Sequence, residues 1–203
     1  MLLLLACSQA PTPPPASAAV GPLVLAIHGM GDSPDGFDRV WVPQDDYQEL
    51  TPPGIYPYGN GYRWFNRRSE GLEDADIAAA AEHLAGLIPD KAIVYGFSQG
   101  GALTMALVTN HPEKVERGIA VGGWLPESLW TEAPADAPPL LVLHGEADPI
   151  VPYDDAAVEG LRERGWHVET RTWPGVGHRI PPEMRATLDG AIRCVDDSLL
   201  MCR

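Results

Sequence analysis

The alternation of strand-like and helix-like segments is the feature that most constrains this fold. Apolar runs such as PLVLAIH (22–28) and KAIVYG (91–96) are nearly continuous, which is typical of strands buried on both faces. Segments with helical periodicity separate these runs. The predicted strands are 22–28, 91–96, 116–123, 139–145 and 166–173, and the predicted helices are 73–88, 99–111, 153–165 and 181–195. This order predicts an α/β fold with a mainly parallel sheet and helices on both faces.

The first 20 residues differ in composition from the rest of the chain. They contain no charged side chain, and the apolar run Leu2–Leu5 is followed by Ala6 and Cys7. This pattern resembles the lipobox of bacterial lipoproteins, whose cysteine is lipidated, although the run is too short to span a bilayer. We predict a truncated signal segment over 1–6, a lipid anchor at Cys7, a Pro/Ala/Ser-rich tether over 7–20 and one domain over 21–203. The anchor would place that domain in the cell envelope, on its periplasmic or outer side; the alternative is a disordered tail with a chance cysteine.

The charge balance excludes some partners. There are 28 acidic and 14 Lys or Arg residues, a formal net charge of −14. Such a surface repels nucleic acid and anionic lipids, so we expect no nucleic-acid partner and membrane contact only through the anchor. An exported chain meets an oxidising compartment, and Cys194 and Cys202 are therefore predicted to form a disulfide. The alternative is two free thiols.

The sequence GFSQG (96–100) has the pattern G-x-S-x-G where a predicted strand becomes a helix. Glycines at this turn admit a strained backbone and a closely packed helix, so the serine hydroxyl is exposed. Ser98 is therefore the candidate nucleophile. The backbone N–H of Gln99, at the start of the helix, would point toward a developing oxyanion.

A serine nucleophile requires a base and a carboxylate. Asp148 and His178 follow Ser98 in the chain, and each lies in a loop after a predicted strand. Glu146 is the alternative acid. His28 and His144 each precede a glycine at a strand end, where we expect them to form hydrogen bonds within the turn. His144, Glu146 and Asp148 also mimic a metal-ligand cluster, but no second cluster accompanies them and we predict no metal.

The second oxyanion donor should come from the loop after the first strand. The segment IHGMGDSPDGF (27–37) occupies that place, and its glycines would let the backbone N–H of Met30 face the site. The alternative is an ordinary glycine-rich loop.

Five motifs in this order resemble the carboxylesterase/lysophospholipase group of α/β-hydrolases, which includes the acyl-protein thioesterases: HGMGD, GFSQGG, GGWLP, HGEADPIVP and GVGHRIPPE. The resemblance covers about residues 22–193. It implies a compact hydrolase without a separate cap domain or a cofactor, acting on small-molecule carboxylic esters or thioesters. Ser98, Asp148 and His178 would be its triad, with the Met30 and Gln99 amides as the oxyanion hole.

The same resemblance predicts a substrate pocket. The stretch GYRWFN (61–66) is similar to the family's Trp-Phe-Asp stretch beside the acyl pocket, with Asn66 in place of the acid. Trp64, Trp124 and Leu125 would then line the pocket, unless they are plain core or surface residues. The segment 33–90 is short for the family, and its Pro/Tyr-rich portion matches the family poorly, which leaves the acyl length open.

The predicted function is a serine esterase for short to medium acyl esters, with lysophospholipids or thioesters as further substrates. The alternatives on the same fold are a feruloyl-esterase-like, polyester-cleaving or peptidase hydrolase, or a non-catalytic surface lipoprotein that binds ligands.

Overall fold

The computed structural model describes residues 21–37, 40, 47–66, 72–195 and 199–202. The predicted signal segment 1–6, Cys7 and the tether 7–20 lie outside these residues. The strands are β1 (Leu23–Ile27), β2 (Gln48–Leu50), β3 (Tyr56–Tyr58), β4 (Gly61–Arg63), β5 (Ala92–Phe97), β6 (Val115–Val121), β7 (Leu140–Gly145) and β8 (Val168–Trp173). The helices are α1 (Pro34–Phe37), α2 (Leu72–Ala85), α3 (Gln99–Asn110), α4 (Asp155–Glu163) and α5 (Pro182–Arg193).

Six strands form one parallel sheet in the order β2-β1-β5-β6-β7-β8. The prediction of a mainly parallel α/β sheet is therefore confirmed, and the five predicted strands and four predicted helices lie within a few residues of their observed bounds. The edge strand β2 was not predicted, because only three residues pair and one of them is apolar. The antiparallel hairpin β3–β4 was also not predicted, because its strands are equally short and contain Pro57.

Helices cover both faces of the sheet. Successive residues of a strand point to opposite faces, so Leu25 and Ile27 of β1 enter one core while Val24 and Ala26 enter the other. The first core is completed by α2, α3 and α4, and the second by α1 and α5. Because both faces are buried, the central strands contain the continuous apolar runs that the sequence shows.

The C-terminal end of α5 is fixed by a disulfide and by contacts with β6. A disulfide joins Cys194 and Cys202, the pair predicted from the sequence. The Arg117 side chain of β6 donates to the backbone oxygens of Ala191 and Ile192, in the last turn of α5. Among the described residues, no helix combines the length and apolar character that crossing a membrane requires.

Candidate active site

Ser98 lies on the turn between β5 and α3 with a backbone that side chains rarely adopt. Its φ is 57° and its ψ is −116°, a conformation that is costly for a residue with a Cβ atom. The turn is possible because its neighbours are glycines. A Cβ atom on Gly96 would lie 2.3 Å from the Gly100 oxygen, and one on Gly100 would lie 1.9 Å from the Ile27 oxygen. Close packing of the start of α3 against β5 and β1 therefore requires glycine at both positions and leaves the Ser98 hydroxyl partly exposed.

The structure brings Ser98, His178 and Asp148 together. The His178 Nε2 atom is 2.9 Å from Ser98 Oγ, and its Nδ1 atom is 2.6 Å from Asp148 Oδ2. Asp148 follows β7 and His178 follows β8, so all three residues lie beyond the carboxyl ends of parallel strands. Residues separated by up to 80 positions in the chain thus form one hydrogen-bonded array.

The Asp148 carboxylate is buried and fully engaged. Its Oδ1 atom accepts from the backbone N–H groups of Ile150 and Val151, each at 2.9 Å. Burial acts to raise the pKa of Asp148, but the hydrogen bonds from Val151, His178 and Ile150 outweigh it, and the pKa lies below its ordinary value. Asp148 is therefore an ionised acceptor. The His178 proton then resides on Nδ1, and the Nε2 lone pair faces Ser98.

The imidazole of His178 is confined from two sides. The Phe97 ring centroid lies 4.7 Å from that of His178. Gly122, which has a φ of 55°, brings its backbone so close that an added Cβ would lie 3.5 Å from His178 Cε1. These contacts keep the ring aligned between the hydroxyl and the carboxylate.

The loop after β1 lies beside Ser98, as predicted. A Cβ atom on Gly29 would lie 3.4 Å from Ser98 Cβ, which places the neighbouring Met30 backbone at the serine. Within the described part of the chain, no hydrogen bond satisfies the backbone N–H of Met30 or of Gln99. Both groups are therefore available as donors beside the hydroxyl.

His28 holds this loop in place from within the core. Its Nδ1–H donates to the Gly29 oxygen at 2.8 Å, and its Nε2 accepts from the Gly54 N–H at 3.1 Å. Burial lowers the pKa of His28 more than the Gly29 carbonyl raises it, so the ring is neutral. The prediction that His28 forms hydrogen bonds within its turn is confirmed, and the Gly54 contact adds a distant partner.

The Gln99 side chain has a role that sequence reasoning missed. Its Oε1 accepts from the Trp64 N–H at 3.0 Å, and its Nε2 donates to the Phe65 oxygen at 2.9 Å. This pair of bonds ties the segment after β4 to the start of α3. Little in the sequence indicated this role, because α3 also contains the polar residues Thr104, Thr109 and Asn110.

The residues predicted for the acyl pocket are differently placed. Trp64 has no exposed surface, and its indole N–H donates to the His28 oxygen at 2.9 Å. Leu125 is also buried. Both residues therefore belong to the hydrophobic core, which was the alternative to a place in the pocket. Trp124 is half-buried, contacts Phe65 edge-on, and lines a small cavity with His144 and neighbouring residues.

The alternatives for the acid and for a metal find no support in the geometry. Glu146 accepts from the Thr172 hydroxyl at 2.8 Å on the exposed side of its loop, whereas Asp148 contacts His178. His144 donates from Nε2 to the Val151 oxygen at 2.8 Å and lies 3.7 Å from Asp148 Oδ2. The described residues contain no group of three or more side chains suited to bind a metal.

A parallel sheet with a serine on a strand–helix turn, followed by an acid and a histidine at strand ends, defines an α/β-hydrolase. Within that class, the chain belongs to the phospholipase/carboxylesterase family, whose sequence profile matches residues 14–194.

Relatives in this family agree with that assignment. The carboxylesterase SOBER1 of Arabidopsis thaliana is 33% identical over 189 residues, 77% of this chain and 83% of that protein. An acyl-protein thioesterase 1 of Gibberella zeae is 26% identical over 217 residues, 88% of this chain and 92% of that protein. The crystal structure of SOBER1 superposes with a TM-score of 0.72 at 25% identity, covering 85% of this chain and 98% of that one. The Bacillus cereus carboxylesterase shares the fold, with a TM-score of 0.71 at 16% identity over 87% of this chain and 89% of that one. The protein is thus similar to carboxylic ester hydrolases over most of its length.

Proposed function

We propose that this protein is a serine esterase that hydrolyses carboxylic esters through Ser98, His178 and Asp148. The observation that supports this proposal is the hydrogen-bonded array of the three side chains, with 2.9 Å from His178 to Ser98 and 2.6 Å from His178 to Asp148. Esters of short to medium acyl chains are the first substrate class to test, followed by lysophospholipids and thioesters.

In the first half of the reaction, Ser98 Oγ attacks the carbonyl carbon while His178 Nε2 accepts the hydroxyl proton. Asp148 holds the imidazole in the productive tautomer and stabilises the imidazolium that forms. The backbone N–H groups of Met30 and Gln99 donate hydrogen bonds to the tetrahedral oxyanion. Loss of one such donor typically lowers the rate by about 10²–10³.

In the second half, His178 passes its proton to the leaving alkoxide, and the acyl-enzyme remains on Ser98. Water then enters, loses a proton to His178 Nε2 and attacks the acyl carbon. Collapse of this second tetrahedral intermediate releases the acid and restores the hydroxyl. His178 thus acts alternately as base and acid.

The test is hydrolysis of 4-nitrophenyl esters from acetate to palmitate by the purified protein. Ser98→Ala is the decisive variant, and Ser128→Ala is a matched control because Ser128 is an exposed serine that donates to Asp74. We expect turnover that disappears with Ser98 and persists without Ser128. Turnover that survives in Ser98→Ala would refute the mechanism, and no turnover on any ester would favour a ligand-binding role. Feruloyl, polyester and peptide substrates in the same assay separate the alternatives that share this fold.

The lipid anchor is a separate proposal. It rests on the sequence around Cys7 alone, and it would place the esterase in the cell envelope. With a complete bacterial signal segment added before Leu2, labelled palmitate should enter the chain in a bacterial host and should be absent from the matching Cys7→Ser variant. Equal labelling of the two proteins would refute the anchor at this position.

A further inference from the structure

The outer face of the hairpin β3–β4 combines two exposed tyrosines with an arginine. Tyr56 pairs with Arg63 across the hairpin, and Tyr58 lies two residues further along β3, so the three side chains share one face. Tyr56 is 42% exposed and Tyr58 is 43% exposed. The guanidinium carbon of Arg63 lies 5.3 Å from the Tyr58 ring centroid, within the range of a cation–π contact.

This face is fixed to the loop that borders Ser98. The Gly31 N–H donates to the Tyr62 oxygen at 2.7 Å, and the Tyr62 N–H donates to the Asp32 oxygen at 2.8 Å. A Cβ atom on Gly31 would lie 3.8 Å from the Tyr58 ring. These contacts hold the hairpin directly against the loop.

The distance from the nucleophile to this face is short. Gly29 lies against Ser98, and Gly31 lies against the Tyr58 ring. Only Met30 separates the two glycines, so their Cα atoms are at most about 7 Å apart. A substrate bound at Ser98 can therefore extend over the Tyr58 ring toward Arg63.

Arg63 has no counter-charge in the described part of the chain. Four described arginines pair with a carboxylate: Arg117, Arg162, Arg171 and Arg193. No ion pair among the described residues includes Arg63, and the same holds for Arg164, Arg179 and Arg185. Its Nε atom is buried and has no hydrogen-bond partner, which is unfavourable for a donor of this kind. Because Arg63 is only half-buried, its Nη groups, rather than the buried Nε, are the donors that an anion from outside can reach. Such a cation is suited to an anionic ligand in a chain with a net charge of −14.

We propose that Arg63, supported by the Tyr58 ring, binds a carboxylate or phosphate group of the ester substrate. The planar guanidinium presents its donors in a fork that matches either anion. The enzyme would then prefer esters with a negative charge at the end remote from the reacting carbonyl over neutral esters of equal length. This inference rests on the proposed esterase function.

The test compares matched substrates with the full-length protein. The carboxylate pair is mono-4-nitrophenyl adipate and 4-nitrophenyl hexanoate, which differ by one terminal charge on the acyl side. The phosphate pair is 1-hexanoylglycerol 3-phosphate and 1-hexanoylglycerol, which differ on the alcohol side. Within each pair, the measured quantity is the ratio of kcat/KM for the anionic ester to kcat/KM for the neutral ester.

The decisive variants are Arg63→Met and Arg63→Lys, with Arg185→Met as the control. Arg185 is an exposed cation on α5, so its loss changes the net charge equally. We expect the ratio to fall at least about tenfold in Arg63→Met for one of the pairs, to fall less in Arg63→Lys, and to persist in Arg185→Met. The pair that responds tells whether the anion lies on the acyl or the alcohol side.

Two results would overturn the inference: an unchanged ratio in Arg63→Met for both pairs, or an equal fall in Arg185→Met. If turnover depends on Ser98 while the ratios ignore Arg63, only the anion site is refuted. If no ester is turned over, calorimetric binding decides. Ser98→Ala should bind 1-hexanoylglycerol 3-phosphate or monohexyl adipate. The double variant Ser98→Ala/Arg63→Met should bind the same ligand at least about tenfold more weakly. Equal binding by the two proteins refutes the site.

Discussion

Replacing Ser98 with glycine should stabilise the protein while abolishing hydrolysis. Ser98 has a φ of 57° and a ψ of −116°, a conformation whose strain is about 1–3 kcal/mol for a residue with a Cβ atom. Glycine relieves this strain but loses about 0.5–1 kcal/mol because its unfolded chain is more flexible. Alanine loses the same hydroxyl and keeps the strain, so Ser98→Ala is the matched reference. The expected advantage of Ser98→Gly over Ser98→Ala is about 1 kcal/mol.

Thermal unfolding followed by calorimetry measures this difference. For a domain of this size, 1 kcal/mol corresponds to a shift of about 2–4 °C in Tm. Ser98→Gly should therefore unfold about 2–4 °C above Ser98→Ala, and neither variant should hydrolyse 4-nitrophenyl esters. Equal melting temperatures, or a lower one for glycine, would refute the account of a strained turn that exposes the hydroxyl.

Three further predictions concern the surroundings of Ser98. Asp148→Asn should lower kcat by about 10⁴ because the imidazole loses its tautomer. Because the folded-state pKa of Asp148 is below its ordinary 3.8, its stabilising effect is present above that pH and lost as the pH falls through the folded value. The difference in unfolding free energy between wild type and Asp148→Asn should thus shrink below pH 3.8, and a constant difference contradicts it. Gly100→Ala should lower the free energy of unfolding by more than about 3 kcal/mol. Gly86→Ala, whose added Cβ would have its nearest neighbour at 3.3 Å, should change it by no more than about 1 kcal/mol. Urea unfolding of both variants measures the difference. His144→Met removes the donor to the Val151 oxygen and should lower kcat about tenfold at constant KM, with recovery in His144→Gln; an unchanged kcat would exclude a positioning role.

Asp148 illustrates why the site tolerates a buried charge. A carboxylate taken out of water is costly unless hydrogen bonds replace its hydration. The N–H groups of Ile150 and Val151 and the His178 ring supply these bonds. The chain forms this loop because Pro149 follows the aspartate directly and restricts the turn. The loop after β7 therefore supplies both the buried carboxylate and two of the hydrogen bonds that stabilise its charge.

Local patterns in the sequence predicted the scaffold and the order of the reactive residues. The runs over β1 and β5 are apolar because both faces of the sheet are covered, and periodicity records that directly. The glycines around Ser98 could also be interpreted locally, because a tight turn requires glycine at positions close to the serine in the sequence. Asp148 and His178 were recognisable because each lies in the loop that follows a strand.

Only the tertiary structure decided what surrounds Ser98. Trp64 was expected in a pocket, but its contacts with His28 and Gln99 span 36 and 35 residues and bury it. The hairpin β3–β4 has strands of three residues, too short for a periodic signal, and its place beside the Met30 loop depends on backbone bonds from Tyr62. Such long-range contacts depend on how the elements pack, and no local pattern records them. The sequence by itself therefore determined five strands of the main sheet, the four longer helices and the order of the candidate triad. The packing between distant segments placed the short strands β2, β3 and β4 and decided the shape and charge of the surface around the triad.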